Sequence, residues 1–447
     1  MSDLGPLGVS PESEKTEPAP GPTPGIEKAP ARAWLIWGLA AVMFCYGFFQ
    51  RVSPSVMIDP LMRDLAVGGA LLGNLSALYF YVYAALQVPV GLLHDRWGPR
   101  LVLTGGAVLC GAGSLLFSLA EGLTLAYLGR MMIGGGAGVA FIGALALATR
   151  WFPPQRFALV SGLTMMAGMI GGIFGQAPLA ALVDGFGWRA SMLWAGVFGL
   201  ALAVLLWLIV RDVPTGQAHR PADKSAPSSS FLGGLGRVLR NPANLLLCLV
   251  GASMSAPLLA FAGLWGVAWL MQVEGMTRPA AAATCSLLLI GWAIGAPLAG
   301  AISDRIGRRL EILIAGAVTA LSSLLALIYL PELPAILRDG LFFLAGAALA
   351  CMIACYAIAR DVNEPALAGT AFGVVNSATV AAGAIFQPLV GWLLDLRWDG
   401  RLEAGAPVYQ AADFRFAFTA LILFLVSGLA AALALSASLR RFRQATL

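Results

Sequence analysis

Charge is what this chain has least of. Asp, Glu, Lys and Arg make up 11% of its 447 residues, against roughly 25% in soluble domains. So small a share cannot coat a water-facing surface, and with 59% hydrophobic residues and a mean hydropathy of +0.82 the chain reads as a bilayer protein. Only two histidines occur, His94 and His219, and both fall in polar loops. The six cysteines, Cys45, Cys110, Cys248, Cys285, Cys351 and Cys355, all fall in apolar stretches without the paired polar spacing of a disulfide framework or a metal site. No P-loop, H-E-x-x-H or G-x-S-x-G stretch is present, so the sequence offers neither an enzyme's machinery nor a cofactor site. The net charge of +5 is not gathered into a basic patch on a soluble face, which excludes a nucleic-acid partner.

What is present is a succession of apolar runs. A membrane span needs about 20 such residues, and the runs lie at 33–57, 71–93, 100–120, 123–149, 157–181, 188–210, 243–271, 279–301, 310–331, 338–359, 367–394 and 414–438. Twelve crossings put both ends of the chain on one side. Arginines and lysines concentrate on that side, among them Arg96, Arg100, Arg150, Arg156, Arg211, Arg237, Arg305, Arg308, Arg309 and Arg360. The positive-inside rule then makes it cytoplasmic, in the inner membrane. Residues 1–32 are too poor in bulky apolar side chains to order and read as a disordered cytoplasmic tail. Two bundles follow, 33–210 and 243–439, joined by a polar linker at 211–242 and ended by a short cytoplasmic tail at 440–447. The fold class is thus an all-α membrane protein of two six-helix bundles, expected to act as a monomer in the lipid bilayer.

The halves repeat each other. G-L-L-H-D-R-W-G-P-R at 91–100 returns as G-A-I-S-D-R-I-G-R-R at 300–309, each copy closing one apolar run and opening another. A finer pattern recurs every three runs: Pro89, Gly91 and Asp95; Pro178, Ala181 and Asp184; Pro297, Gly300 and Asp304; Pro388, Gly391 and Asp395. Two copies end on one side and two on the other. This is the inverted three-plus-three symmetry of carriers that alternate access around a midplane site.

The first loop fits G-x-L-x-D-R-x-G-x-R, the signature between helices 2 and 3 of the major facilitator superfamily, and the chain resembles that family over nearly its full length. The resemblance implies a conformational latch at Gly91, Asp95, Arg96 and Arg100, with Asp304 and Arg305 as its fainter partner. It also implies that Asp95 receives the start of the eleventh helix while the carrier faces outward. The stretch R-M-M-I-G-G-G-A-G-V-A from Arg130 resembles the family's second signature. Within the family, F-F-Q-R-V-S-P-S-V-M, F-A-G-L-W-G-V-A-W-L and Q-P-L-V-G-W-L-L-D resemble the branch of lysosomal dipeptide transporters and bacterial nutrient carriers. The anion:cation symporters, a neighbouring branch, carry Asp-Arg in the first helix, where this chain has Gln50 and Arg51. That departure removes the carboxylate expected to couple protons there.

Function turns on polar groups within the runs, where a charge costs about 2.5–3.5 kcal/mol and faces a cavity or a partner. Arg51 and Arg130 are the two clear cases. A guanidinium fork without an adjacent acid suits a carboxylate. Gln50, Tyr46, Tyr79, Tyr83, Asn376 and Gln387 are the remaining substrate-contact candidates. The expected function is a secondary active or facilitative carrier of a small carboxylate-bearing solute, an amino acid, dipeptide or organic acid. The alternative is a proton-coupled exporter of drugs or metabolites.

Overall fold

The computed structural model describes residues 31–213, 231–330 and 332–445. The expected disordered tail lies almost wholly outside the described residues, as does the middle of the linker, with His219. The described chain is helical almost throughout, because a backbone crossing lipid has no water to satisfy its N–H and C=O groups and must pair them along its own helix.

Span 1 is Ala31–Val52, followed by a 3-10 turn, Ser53–Val56, and a short helix, Ile58–Leu65. Spans 2 and 3, expected as separate helices, form one helical run, Gly69–Ser118, interrupted at Gly98 with φ of 78°. The chain reverses there. Gly69 contacts Asp395 at one end of the molecule, Arg100 contacts Trp207 at the other, and Ser114 returns to Tyr46 in span 1. Gly98 needs its positive φ, and a side chain there would also run into the Asp212 carboxylate, which accepts from the Arg100 amide at 2.8 Å. Span 4 is Leu123–Gly138 continued by Ala140–Trp151.

Spans 5 and 6 occupy Phe157–Phe174 and Ala177–Ile209, and the reversal between them falls at Gly187, with φ of 80°. Asp184 before this glycine and Arg189 after it both meet partners at the end of the molecule where Gly69 lies. Counting these reversals, the eleven long apolar stretches resolve into twelve crossings, one stretch of 51 residues, Leu159–Ile209, holding two.

The second half begins with a ten-residue helix, Phe231–Arg240, inside what the sequence marks as linker. Span 7 runs through Pro242–Ala256, a π-helical stretch Pro257–Trp265, and Gly266–Glu274. Pro257 has no N–H to give the preceding turn, which accords with the change of register at that point. Span 8 is Arg278–Ile306, span 9 Arg309–Tyr329, span 10 Ala335–Leu349 continued through Ala354–Asp361, and span 11 Ala368–Arg397. A two-residue hairpin, Leu402–Glu403 against Ala406–Pro407, precedes span 12, Ala411–Ala445. Within the expected tail at 440–447 the helix continues to Ala445, since no Gly or Pro stops it and a helix need not end at the membrane surface.

The Gly-rich face of span 4 is a packing surface. A side chain at Gly134 would come within 2.7 Å of the Tyr79 Cα, and one at Gly136 within 2.7 Å of the Cys110 Cβ. These glycines bring span 4 against spans 2 and 3 closely enough to bury Arg130 completely between them and span 1.

Candidate functional site

Arg51 occupies the last turn of span 1, and the 3-10 turn beyond it is buried, so its side chain does not run out to the surface. Its guanidinium carbon lies 4.1 Å from the ring centre of Phe48, 5.2 Å from Tyr83, 5.5 Å from Tyr79 and 5.6 Å from Phe80. Four ring faces supply negative quadrupole to a cation that has left water. Among the described residues no carboxylate lies within ion-pair distance of Arg51, and its Nε–H is buried without a hydrogen-bond partner. Arg51 and Gln387 line one narrow cavity between the two halves, with Phe48, Phe80, Leu258 and Leu289 among its apolar walls. Gln387, fully buried in span 11, donates through Nε2 to the Leu259 carbonyl at 2.8 Å, and its Oε1 has no partner.

The other expected contacts divide. Tyr79 and Tyr83 stack on each other at 5.8 Å beside Arg51, as the i, i+4 spacing implies. Tyr79 is held by donating to the Gly47 carbonyl at 3.0 Å. Tyr46 and Gln50 are corrected as neighbours of Arg51: they turn to the other side of span 1. The Tyr46 hydroxyl donates to the Ala195 carbonyl at 2.8 Å, and Gln50 Nε2 reaches Tyr46 at 2.9 Å and Ser114 at 2.6 Å. Both are held in the packing of spans 1, 3 and 6, on another face of the helix from Arg51, although Gln50 Oε1 is left without a partner. Arg130 donates through its terminal nitrogens to the Gln50 carbonyl at 2.9 Å and the Ser76 carbonyl at 3.5 Å, and its Nε–H, like that of Arg51, is buried without a partner, but it does not line the cavity. Asn376 is half-buried and accepts from Tyr356 at 3.2 Å, a tyrosine the sequence reading missed for want of any repeat or charge to mark it.

The two ends of the molecule differ. At one, the Asp395 carboxylate accepts from the amides of Gly69 and Ala70, each at 2.8 Å, and from the Tyr409 hydroxyl at 2.5 Å. An acid at the end of span 11 thus sits on the positive first turn of span 2 from the other half. The approach requires glycine: a side chain at Gly73 would come within 2.7 Å of the Pro388 Cα. Beside it Arg278, at the start of span 8, pairs with Asp184 at the end of the fifth crossing and with Asp59 at 3.5 Å. Burial pushes the Asp59 carboxyl above the usual range despite Arg278. Asp64 is held below that range: burial works against its ionised form but is outweighed by hydrogen bonds from Trp188, Arg189 and Arg63.

At the opposite end Asp95 and Arg96 are exposed, and a side chain added at Gly91, Gly300 or Gly369 would meet nothing within 4 Å. The halves stand apart there. Arg305 is exposed, and the side chain of Asp304 lies outside the described residues. Arg100 donates to the Trp207 carbonyl at 2.7 Å and 3.0 Å and covers the Trp207 ring, so it staples its own half rather than bridging to the other. Asp395, Asp184, Arg278 and Tyr409 were not singled out as site residues from sequence. The two acids could have been, since they occupy the place of Asp95 in the repeated pattern.

Known proteins show the same organisation. A probable sulfoacetate transporter of Cupriavidus necator is 23% identical over 81% of this chain and 87% of its own length. An MFS-type efflux pump of Mycolicibacterium smegmatis is 26% identical over 80% and 81%. An uncharacterized transporter of Bacillus subtilis is 29% identical over 39% of this chain, a match that spans 40% of that relative. The solved structure of a bacterial homolog to the human lysosomal transporter Spinster, inward-facing and unoccupied, superposes with a TM-score of 0.78 at 18% identity, covering 92% of this chain and 98% of that one. The family model of the Major Facilitator Superfamily matches residues 39–388 and 258–445. With twelve crossings, inverted repeats and a largely apolar cavity between the halves that Arg51 and Gln387 also line, the chain belongs to the Major Facilitator Superfamily of membrane transporters.

Proposed function

We propose that the chain carries a small carboxylate-bearing solute across the inner membrane by alternating access, as a secondary active or facilitative transporter. The observation that carries this reading is Arg51: a caged guanidinium at the cavity between the halves, with a buried Nε–H that no described residue satisfies. An anionic oxygen would supply both the missing acceptor and the missing countercharge. With the positive-inside orientation, the closed Asp395 end is external and the open Asp95 end cytoplasmic, so the conformation described is the inward-facing one. Asp95 and Asp304 would then close the cytoplasmic side in the outward-facing state, as Asp395 and Asp184 close the external side here.

The test is solute affinity, by thermal shift or calorimetry, for wild type, Arg51→Lys, Arg51→Ala and an amidated solute. Arg51→Lys keeps the charge but loses the fork and should weaken binding sharply, while Arg51→Ala should abolish it with the fold intact. An acid that binds Arg51→Ala as tightly as wild type would refute the anchor. The second reading, a proton-coupled exporter, draws support from the likeness to the mycobacterial efflux pump. Proton-driven extrusion from everted vesicles, unaffected by Arg51→Ala, would favour it.

A further inference from the structure

Two side chains that line the same cavity each carry a buried orphaned polar atom, and the two atoms ask for different things. Arg51 Nε–H is a buried donor without an acceptor, and Gln387 Oε1 is a buried acceptor without a donor. The orientation of the Gln387 amide is set by chemistry, since only its NH₂ can donate to the Leu259 carbonyl at 2.8 Å. That bond leaves the oxygen as the free group. Buried polar atoms in native structures are nearly always paired, so two orphans on one cavity specify the ligand that pairs them.

We infer that the site takes a hydroxylated organic monoanion, a carboxylate bearing a neutral hydroxyl close to the acid group, and discriminates against zwitterionic amino acids. This rests on the carboxylate reading of Arg51 and narrows it. The acid oxygen meets Arg51 while the hydroxyl donates to Gln387 Oε1. An ammonium group could donate there too, but among the described residues no Asp or Glu lines the cavity to neutralise it, and the Arg51 guanidinium faces the same space. A second charge buried beside a like charge without a partner is costly, whereas a hydroxyl brings the donor without the charge. The remaining wall, with Phe48, Phe80, Leu258 and Leu289, offers no hydrogen bonds, so a chain of further hydroxyls would be stripped of water and left unpaired. A single hydroxyl and an apolar remainder fit.

The experiment uses the purified full-length chain and two matched triples with constant carbon skeletons: lactate, propanoate and alanine; 3-phenyllactate, 3-phenylpropanoate and phenylalanine. Affinity is measured by calorimetry on wild type, Arg51→Ala, Gln387→Leu and Gln387→Glu. In at least one triple the hydroxy acid should bind about tenfold or more tighter than the unsubstituted acid, with the amino acid weakest. Gln387→Leu should erase the hydroxyl preference while leaving dependence on Arg51. Gln387→Glu places a carboxylate at the orphan and should reverse the order in favour of the amino acid, a switch that loss of packing alone would not produce. If the acids bind through Arg51 but the members of each triple bind alike, or the amino acid binds best to wild type, the inference falls and the carboxylate reading stands. If no acid of either size binds in an Arg51-dependent manner, both fall.

Discussion

At one end of the molecule the carboxylate of Asp395 sits on the first turn of span 2, and at the other Asp95 faces solvent, although both acids hold the same place in the repeated Pro-x-Gly-type pattern. The two copies share the proline, the glycine and the acid, and differ in what those residues meet: a side chain at Gly73 would run into Pro388 of the other half, and one at Gly91 meets nothing. On the alternating-access reading proposed above, a device built twice from one pattern is assembled at only one end at a time.

The comparison can be broken most severely at the glycines. Gly73→Val drives a side chain into the span 11 backbone at the closed end, while Gly91→Val meets nothing here and would obstruct only the opposite closure. A backbone clash of about 3 kcal/mol shifts the balance roughly 100-fold. Both variants should lose transport, and labelling of introduced cysteines, in a background lacking the native six, should place them in opposite states. Equal labelling of the two would refute the seesaw.

A smaller effect is expected from the acids. Asp395→Asn removes a charged acceptor from two helix-terminal amides and should move the population about tenfold or more toward opening at that end. Asp95→Asn should move it the other way, impairing transport while solute binding persists. Tyr409→Phe keeps the acid and loses one hydroxyl between Asp395 and Gly69. It should shift the same equilibrium by about fivefold, the worth of a typical hydrogen bond.

The smallest effect is with pH, and its two components have opposite signs. Asp64 has a lowered pKa in the closed end, so its contribution is present above the ordinary Asp value of about 3.9 and is lost as pH falls through the lowered value. Asp59 has a raised pKa, so its contribution is present below the ordinary value and is lost as pH rises through the raised one. Asp59 faces Arg278 of the other half, so Asp59→Asn should flatten the loosening on the alkaline side of about pH 4, read as cysteine accessibility at the closed end; the partners of Asp64 all lie in its own half, so Asp64→Asn should flatten only the acid-side loss of stability, read as thermal unfolding against pH.

The twelve crossings, the six-and-six division and the repeated loops were legible in the sequence because they rest on run length and on repetition, which need no knowledge of neighbours. Arg51 and Arg130 stood out equally, as charges in apolar runs. Only packing separated them: span 4 glycines draw Arg130 onto the carbonyls of Gln50 and Ser76, away from the cavity, while Arg51 lies among rings on the cavity wall, each keeping one unmet Nε–H. Tyr46 and Gln50 point away from Arg51 because residues one apart on a helix lie about 100° apart and residues five apart about 140°. The sequence by itself determined the architecture, since hydrophobic run length and repetition decide it locally. Which end is closed and which arginine and which amide line the cavity between the halves were decided only by the tertiary structure, because each depends on atoms brought together from distant parts of the chain.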